Sequence, residues 1–101
     1  MSSTAQNTDK ECRQILENFV FQQGDMGARL LSILNSYISQ CHYKICPLSR
    51  EDQQEILQEA SIKILHRYKQ LKGSCNGWLF MIIRNEYIDH LRRNNTRPQH
   101  R

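Results

Sequence analysis

A chain of 101 residues with a net charge of +4 has room for one small domain with a single modest core, and not for two. No stretch reaches the roughly 18 uncharged apolar residues of a membrane span. The N-terminus MSSTAQNTDK lacks the apolar run of a secretory signal, so the expected setting is the cytoplasm, with Cys12, Cys41, Cys46 and Cys75 as reduced thiols.

In chain order the pattern gives helices and no strand. Residues Glu11 to Gln23 carry Ile15, Leu16, Phe19 and Val20 at helical spacing and stop at Gly24. Asp25 is an expected N-cap for a second helix, along which Leu30, Leu34, Tyr37, Ile38 and Cys41 recur. Pro47 ends that helix. Ser49-Arg50-Glu51-Asp52 then has the form of a capping box and opens a third helix that runs to about Tyr68. Its inward residues are expected to be Leu57, Ala60, Ile64, Leu65 and Tyr68, with Glu55, Gln58, Glu59, Ile62 and His66 on another face. Lys69 to Gly77 holds two glycines and two lysines and reads as a loop. Four helices with short connections imply an all-α fold, a compact bundle.

The fourth helix, NGWLFMIIRNEYIDHLRR, opens with six apolar residues and ends in paired arginines. On a helical wheel Leu79, Phe80, Ile83, Tyr87, Ile88 and Leu91 fall on one broad arc, opposite Asn85, Asp89, Arg92 and Arg93. Arg84 lies on the apolar arc and needs a partner if buried. Trp78, Met81 and Ile82 spill onto the polar side, so this end of the helix is expected to be covered all round, with the other end projecting a polar face.

Charge divides the same way. From Ser49 to Glu59 one arginine faces four acids, a balance of −3, whereas from Ala60 to Arg101 nine basic residues face two acids, a balance of +7. An acidic patch followed by a basic half fits two partners of opposite sign, one of them nucleic acid, and equally fits an ordinary solvated surface.

The run from Glu55 to Arg93, EILQEASIKILHRYKQLKGSCNGWLFMIIRNEYIDHLRR, resembles the second conserved region of bacterial sigma factors, especially the extracytoplasmic-function group. Glu55, Ile56, Leu57, Gln58, Glu59 and Lys63 match the first part of that pattern, and WLxxIxRNxxxDxxRR, with Trp78, Leu79, Ile82, Arg84, Asn85, Asp89, Arg92 and Arg93, matches the second. The resemblance implies a polymerase-binding face of Glu55, Gln58, Glu59 and Ile62 that docks on the clamp helices of the largest subunit of core RNA polymerase. It implies that Lys69, Lys72, Ser74, Asn76, Asn85, Asp89, Arg92 and Arg93 bind promoter DNA, as the single-stranded non-template strand of the −10 element. An anti-sigma factor is a further partner it allows, and it implies no enzyme activity, cofactor, metal or membrane.

Several positions depart from the family pattern. Ser61 stands where an aromatic is common, and Cys75, Asn76 and Gly77 replace the usual Phe, polar and Ala, so base preference does not carry over. The expected layout is a flexible N-terminus over 1–9, the helical domain over 10–95 and a flexible basic tail over 96–101, with no region 4 domain in the chain.

Three rival readings stand beside this one. Cys41, His42, Cys46 and Cys75 carry zinc-ligand chemistry, but without a CxxC they fit no standard site. A helical protein-binding adaptor, or a module bound by an anti-sigma factor, would leave the basic half merely solvated. Catalysis has the least support: no nucleophile, histidine and acid fall in a recognisable order, and His66 and His90 read as surface or capping residues.

Overall fold

The computed structural model describes residues 8–21 and 26–96. They form four α-helices and one short 3-10 turn: α1 (Asp9–Val20), α2 (Met26–Lys44), α3 (Arg50–Arg67), the turn Tyr68–Gln70, and α4 (Cys75–Thr96). The all-α bundle expected from periodicity is the fold, with no strand among the described residues.

α1 begins two residues before the expected Glu11. Thr8 is its N-cap: the hydroxyl accepts the Glu11 N–H at 3.1 Å while the Glu11 carboxylate accepts the Thr8 N–H at 3.0 Å, a complete capping box. The helix ends at Val20, with the Phe21 N–H closing onto the Glu17 carbonyl at 2.9 Å. Gly24 and the expected cap Asp25 lie outside the described residues. α3 is capped by Ser49, whose hydroxyl accepts the Asp52 N–H at 3.1 Å, and the Asp52 side chain turns toward α4 instead of completing a box.

The core gathers Cys12, Ile15 and Leu16 of α1, Leu30, Leu34, Ile38 and Cys41 of α2, Ile56, Ala60 and Ile64 of α3, and Leu79, Ile83 and Tyr87 of α4. α2 buries the stripe its periodicity announced, and Tyr37, partly buried, meets Phe80 edge-on with ring centroids 5.4 Å apart. α3 is turned from the expected phase: Ile56 is 1% exposed and Leu65 is 41% exposed. In this phase Lys63 meets Glu86 of α4 and Leu65 is left toward solvent.

α4 also differs from expectation. It starts at Cys75, not beyond Gly77, because Ser74 caps it: the Ser74 hydroxyl accepts the Gly77 N–H at 3.1 Å and its carbonyl accepts the Trp78 N–H at 2.9 Å. Its buried stripe is Leu79, Ile83, Glu86, Tyr87 and His90, leaving Phe80, Ile88 and Leu91 only partly covered. Arg84 reaches solvent and needs no buried partner. The first turn is not covered all round, since Met81 is 47% exposed. Three helices suffice to bury one side of α4 and not its whole circumference.

The expectation of four reduced thiols is corrected as well. Cys12 of α1 and Cys75 at the start of α4 form a disulfide, their Cα atoms 5.9 Å apart, within the range such a bond requires. A pairing across 63 residues depends on which helix ends meet, which composition does not encode. Cys41 and Cys46 remain thiols, and burial pushes Cys41 up, with Arg84 pulling the other way.

Two connections need explicit satisfaction of their backbone groups. In the α2–α3 turn, His42 Nδ1 accepts the Leu48 N–H at 3.1 Å, Gln53 donates to the Leu48 carbonyl at 2.9 Å, and the Tyr87 hydroxyl donates to the Cys46 carbonyl. Before α4 the chain reverses at Gly73, whose φ of +71° is a left-handed conformation that a side chain would strain.

Candidate partner and nucleic-acid faces

Two contacts fix α3 and α4 to each other, and both candidate faces sit on that pair. Lys63 is ion-paired with Glu86, whose side chain is only 4% exposed. A carboxylate taken out of water costs several kcal/mol unless a cation meets it, so Lys63 is what lets Glu86 lie there. One turn further along α4, His90 is buried against α3, its Nε2 3.2 Å from Asp52 Oδ1 and its Nδ1 3.9 Å from Glu55 Oε1.

The outward stripe of α3 carries Glu55, Gln58, Glu59 and Ile62, spaced i, i+3, i+4, i+7. All four are exposed, and Ile62, at the stripe's C-terminal end, is 49% exposed. These residues come together as one surface, acids and amides beside an apolar contact.

The outward line of α4 runs through Trp78, Met81, Asn85, Ile88 and Arg92, with Trp78 and Ile88 partly buried and the other three exposed. Asp89 adjoins it, its Oδ1 4.0 Å from Arg92 Nη1, and Arg93 is exposed beside them. Asn85, Asp89 and Arg92 are thus gathered on one face.

The preceding loop does not join that face as a unit. Lys69 and Lys72 are exposed, but Ser74 is engaged as the cap of α4, and Asn76 accepts a hydrogen bond from the Tyr37 hydroxyl at 3.2 Å. At 3.6 residues per turn Asn76 lies about 180° around α4 from Asn85, turned toward α2. Burial raises the Tyr37 phenol above its ordinary value, which keeps it a donor to Asn76.

α1 clamps this loop from below. Asp9 Oδ1 accepts the Cys75 N–H at 2.6 Å, Arg13 donates to the Gly73 carbonyl at 2.6 Å, and the disulfide lies between them. The amide of Cys75 foremost, and then Arg13, holds the Asp9 carboxyl below its usual range.

Sequence reasoning missed Asp52, Glu86 and His90, which turn inward. The spacing of Leu79, Ile83, Glu86 and His90, with two polar members continuing an apolar stripe, is the signal that pointed to the two on α4. The four residues proposed for zinc do not assemble as a site: Cys75 is paired with Cys12 and His42 is engaged by Leu48.

A family model described as Sigma-70 region 2 matches residues 28–97, from near the start of α2 to the end of α4, taking in both faces. No curated protein and no solved structure gives a significant match. Among the described residues no helix is long and apolar enough to cross a membrane.

Proposed function

The chain belongs to the sigma-70 region 2 family, and from that membership we propose that it docks on the clamp helices of RNA polymerase through α3 and holds the melted non-template strand of the promoter −10 element along α4. The family serves transcription initiation and is not an enzyme family, and its region 2 works with core polymerase and promoter DNA. The finer assignment, an extracytoplasmic-function type acting in the cytoplasm, is part of the proposal.

One observation carries it: α3 and α4 are locked together by Lys63–Glu86, and they turn different chemistries outward. Ile62 supplies apolar area for a helix–helix contact, next to Glu55, Gln58 and Glu59 that suit a basic partner. Asn85 offers donor and acceptor atoms to the edge of an unpaired base, while Lys69, Lys72, Arg92 and Arg93 hold phosphates. Binding then needs a strand that polymerase has already helped to open, because those base edges are paired in the duplex.

Capture of core polymerase by the Gln58→Ala, Glu59→Lys double variant tests the docking half. Both side chains are exposed, so the fold stays intact while binding weakens by about 1–3 kcal/mol. Capture equal to the parent's removes α3 as the docking face. A second reading, a protein-binding adaptor such as one engaged by an anti-sigma factor, is favoured by Ser74 and Asn76, whose polar atoms serve the fold through Gly77 and Tyr37.

A further inference from the structure

His90 is the least expected residue of the interior. It is 5% exposed, yet its Nε2 has no hydrogen-bond partner among the described residues, although Asp52 Oδ1 lies 3.2 Å away out of alignment for one. A buried polar atom left in this state is unfavourable relative to a satisfied one. A group of that kind calls for an explanation of what it faces.

What it faces is a pair of carboxylates. Asp52 and Glu55, one turn apart on α3, each point an oxygen at the imidazole from the opposite helix, and one donor atom from each of the three residues lies within 4.8 Å of the others. We propose that Asp52, Glu55 and His90 form a divalent transition-metal site bridging α3 and α4, with zinc the type ion.

The chemistry of the donors selects the class of cation. One imidazole nitrogen with two carboxylate oxygens suits zinc, manganese, iron, cobalt or nickel, whereas calcium and magnesium prefer all-oxygen shells. Zinc bonds of about 2.0–2.1 Å set neighbouring ligand atoms roughly 3.3 Å apart in a tetrahedral shell. The Asp52–His90 pair already has that spacing. Glu55 Oε1 stands 3.9 Å from Nδ1 and has to swing round to the Nε2 side, which its 63% exposed side chain is free to do. Water completes the shell from the solvent side. The ion takes the lone pair of Nε2, which the fold otherwise leaves unused, and its charge balances two acids set beside each other.

The site shares Glu55 with the proposed docking face, but ion binding is read on the chain alone, so its test needs neither polymerase nor DNA. Purified chain, stripped with chelator, is titrated with zinc chloride by calorimetry, and separately with cobalt chloride by absorption. One equivalent of zinc binds, the melting temperature rises with it, and cobalt gives d–d bands without a sulfur-to-metal charge-transfer band. His90→Gln and Asp52→Asn each weaken binding by at least about tenfold. Asp52→Asn keeps the Ser49 cap, because that bond uses the Asp52 backbone, so loss of binding in this folded variant reports on the ligand itself. No zinc binding, zinc binding unchanged in Asp52→Asn, or a thiolate band from Cys41 or Cys46 overturns the proposal.

Discussion

The carboxylate of Asp9, the first residue of α1, accepts the backbone N–H of Cys75, the first residue of α4, at 2.6 Å across 66 residues of chain. One side chain thus satisfies an orphan donor at the start of the helix on which strand binding is proposed, and places negative charge at its positive end.

Because this bond holds the Asp9 carboxyl below its ordinary 3.8, the stability it contributes is fully present above that value and is lost as pH falls through the folded pKa. Urea unfolding of the parent and of Asp9→Asn between neutral pH and strong acid shows this directly. The parent loses stability on the acid side more steeply than the variant. Identical acid limbs would mean that Asp9 is not held by Cys75 in solution.

Tyr87 gives the opposite sign. Its hydroxyl donates to the Cys46 carbonyl, and burial first, then the charges of Cys41, Cys46 and Asp52, push its pKa from 10.0 up to about 12. Stability is therefore complete below about pH 10 and falls as pH rises toward 12. Tyr87→Phe costs about 1 kcal/mol at neutral pH through the lost hydrogen bond. Its alkaline limb is shallower, so the gap between the two proteins narrows with rising pH. A gap independent of pH would show that the phenol ionises as freely in the folded chain as in the unfolded one.

The apolar stripe of α2, the break at Pro47 and the Ser49 cap were legible because each is a local signal: a period, a ring without an N–H, a hydroxyl before a polar turn. The phase of α3 was not, since Leu65 and Ile56 are equally apolar and the choice between them depends on how α3 meets α4, where Lys63 pairs with Glu86. The docking stripe Glu55, Gln58, Glu59 and Ile62 could be read from spacing, and it does lie exposed on one face. Within the expected DNA set, Ser74 and Asn76 are engaged inside the fold, which spacing does not signal because their polar side chains suit a cap and a tyrosine as readily as a phosphate. The helix start at Thr8 was written in the sequence as Thr-Asp-Lys-Glu, a capping box that periodicity alone passes over.

The disulfide predicts a thiol count. Oxidised, denatured chain presents two reactive thiols, from Cys41 and Cys46, and reduction raises the number to four. Cross-linking over 63 residues restricts the unfolded chain by about 4 kcal/mol in the loop-entropy account, so Cys12→Ser lowers stability by a sizeable part of that. Four thiols before reduction, with Cys12→Ser as stable as the parent, would contradict the pairing.

The claim that α4 reads a single strand is tested most directly by binding a fluorescent non-template −10 oligonucleotide to polymerase carrying the parent, Asn85→Ala or Arg92→Ala, over a salt series. Both side chains in question lie on the exposed side of the helix, so the fold is preserved. Arg92→Ala weakens binding and makes the salt slope shallower by roughly 0.7, the value for one phosphate contact on a single strand. Asn85→Ala weakens binding by a constant factor at every salt concentration and relaxes discrimination between bases, as loss of a base-edge contact does. Parent-like affinity and slope in the double variant Asn85→Ala, Arg92→Ala would reduce α4 to a scaffold and leave the adaptor reading in its place.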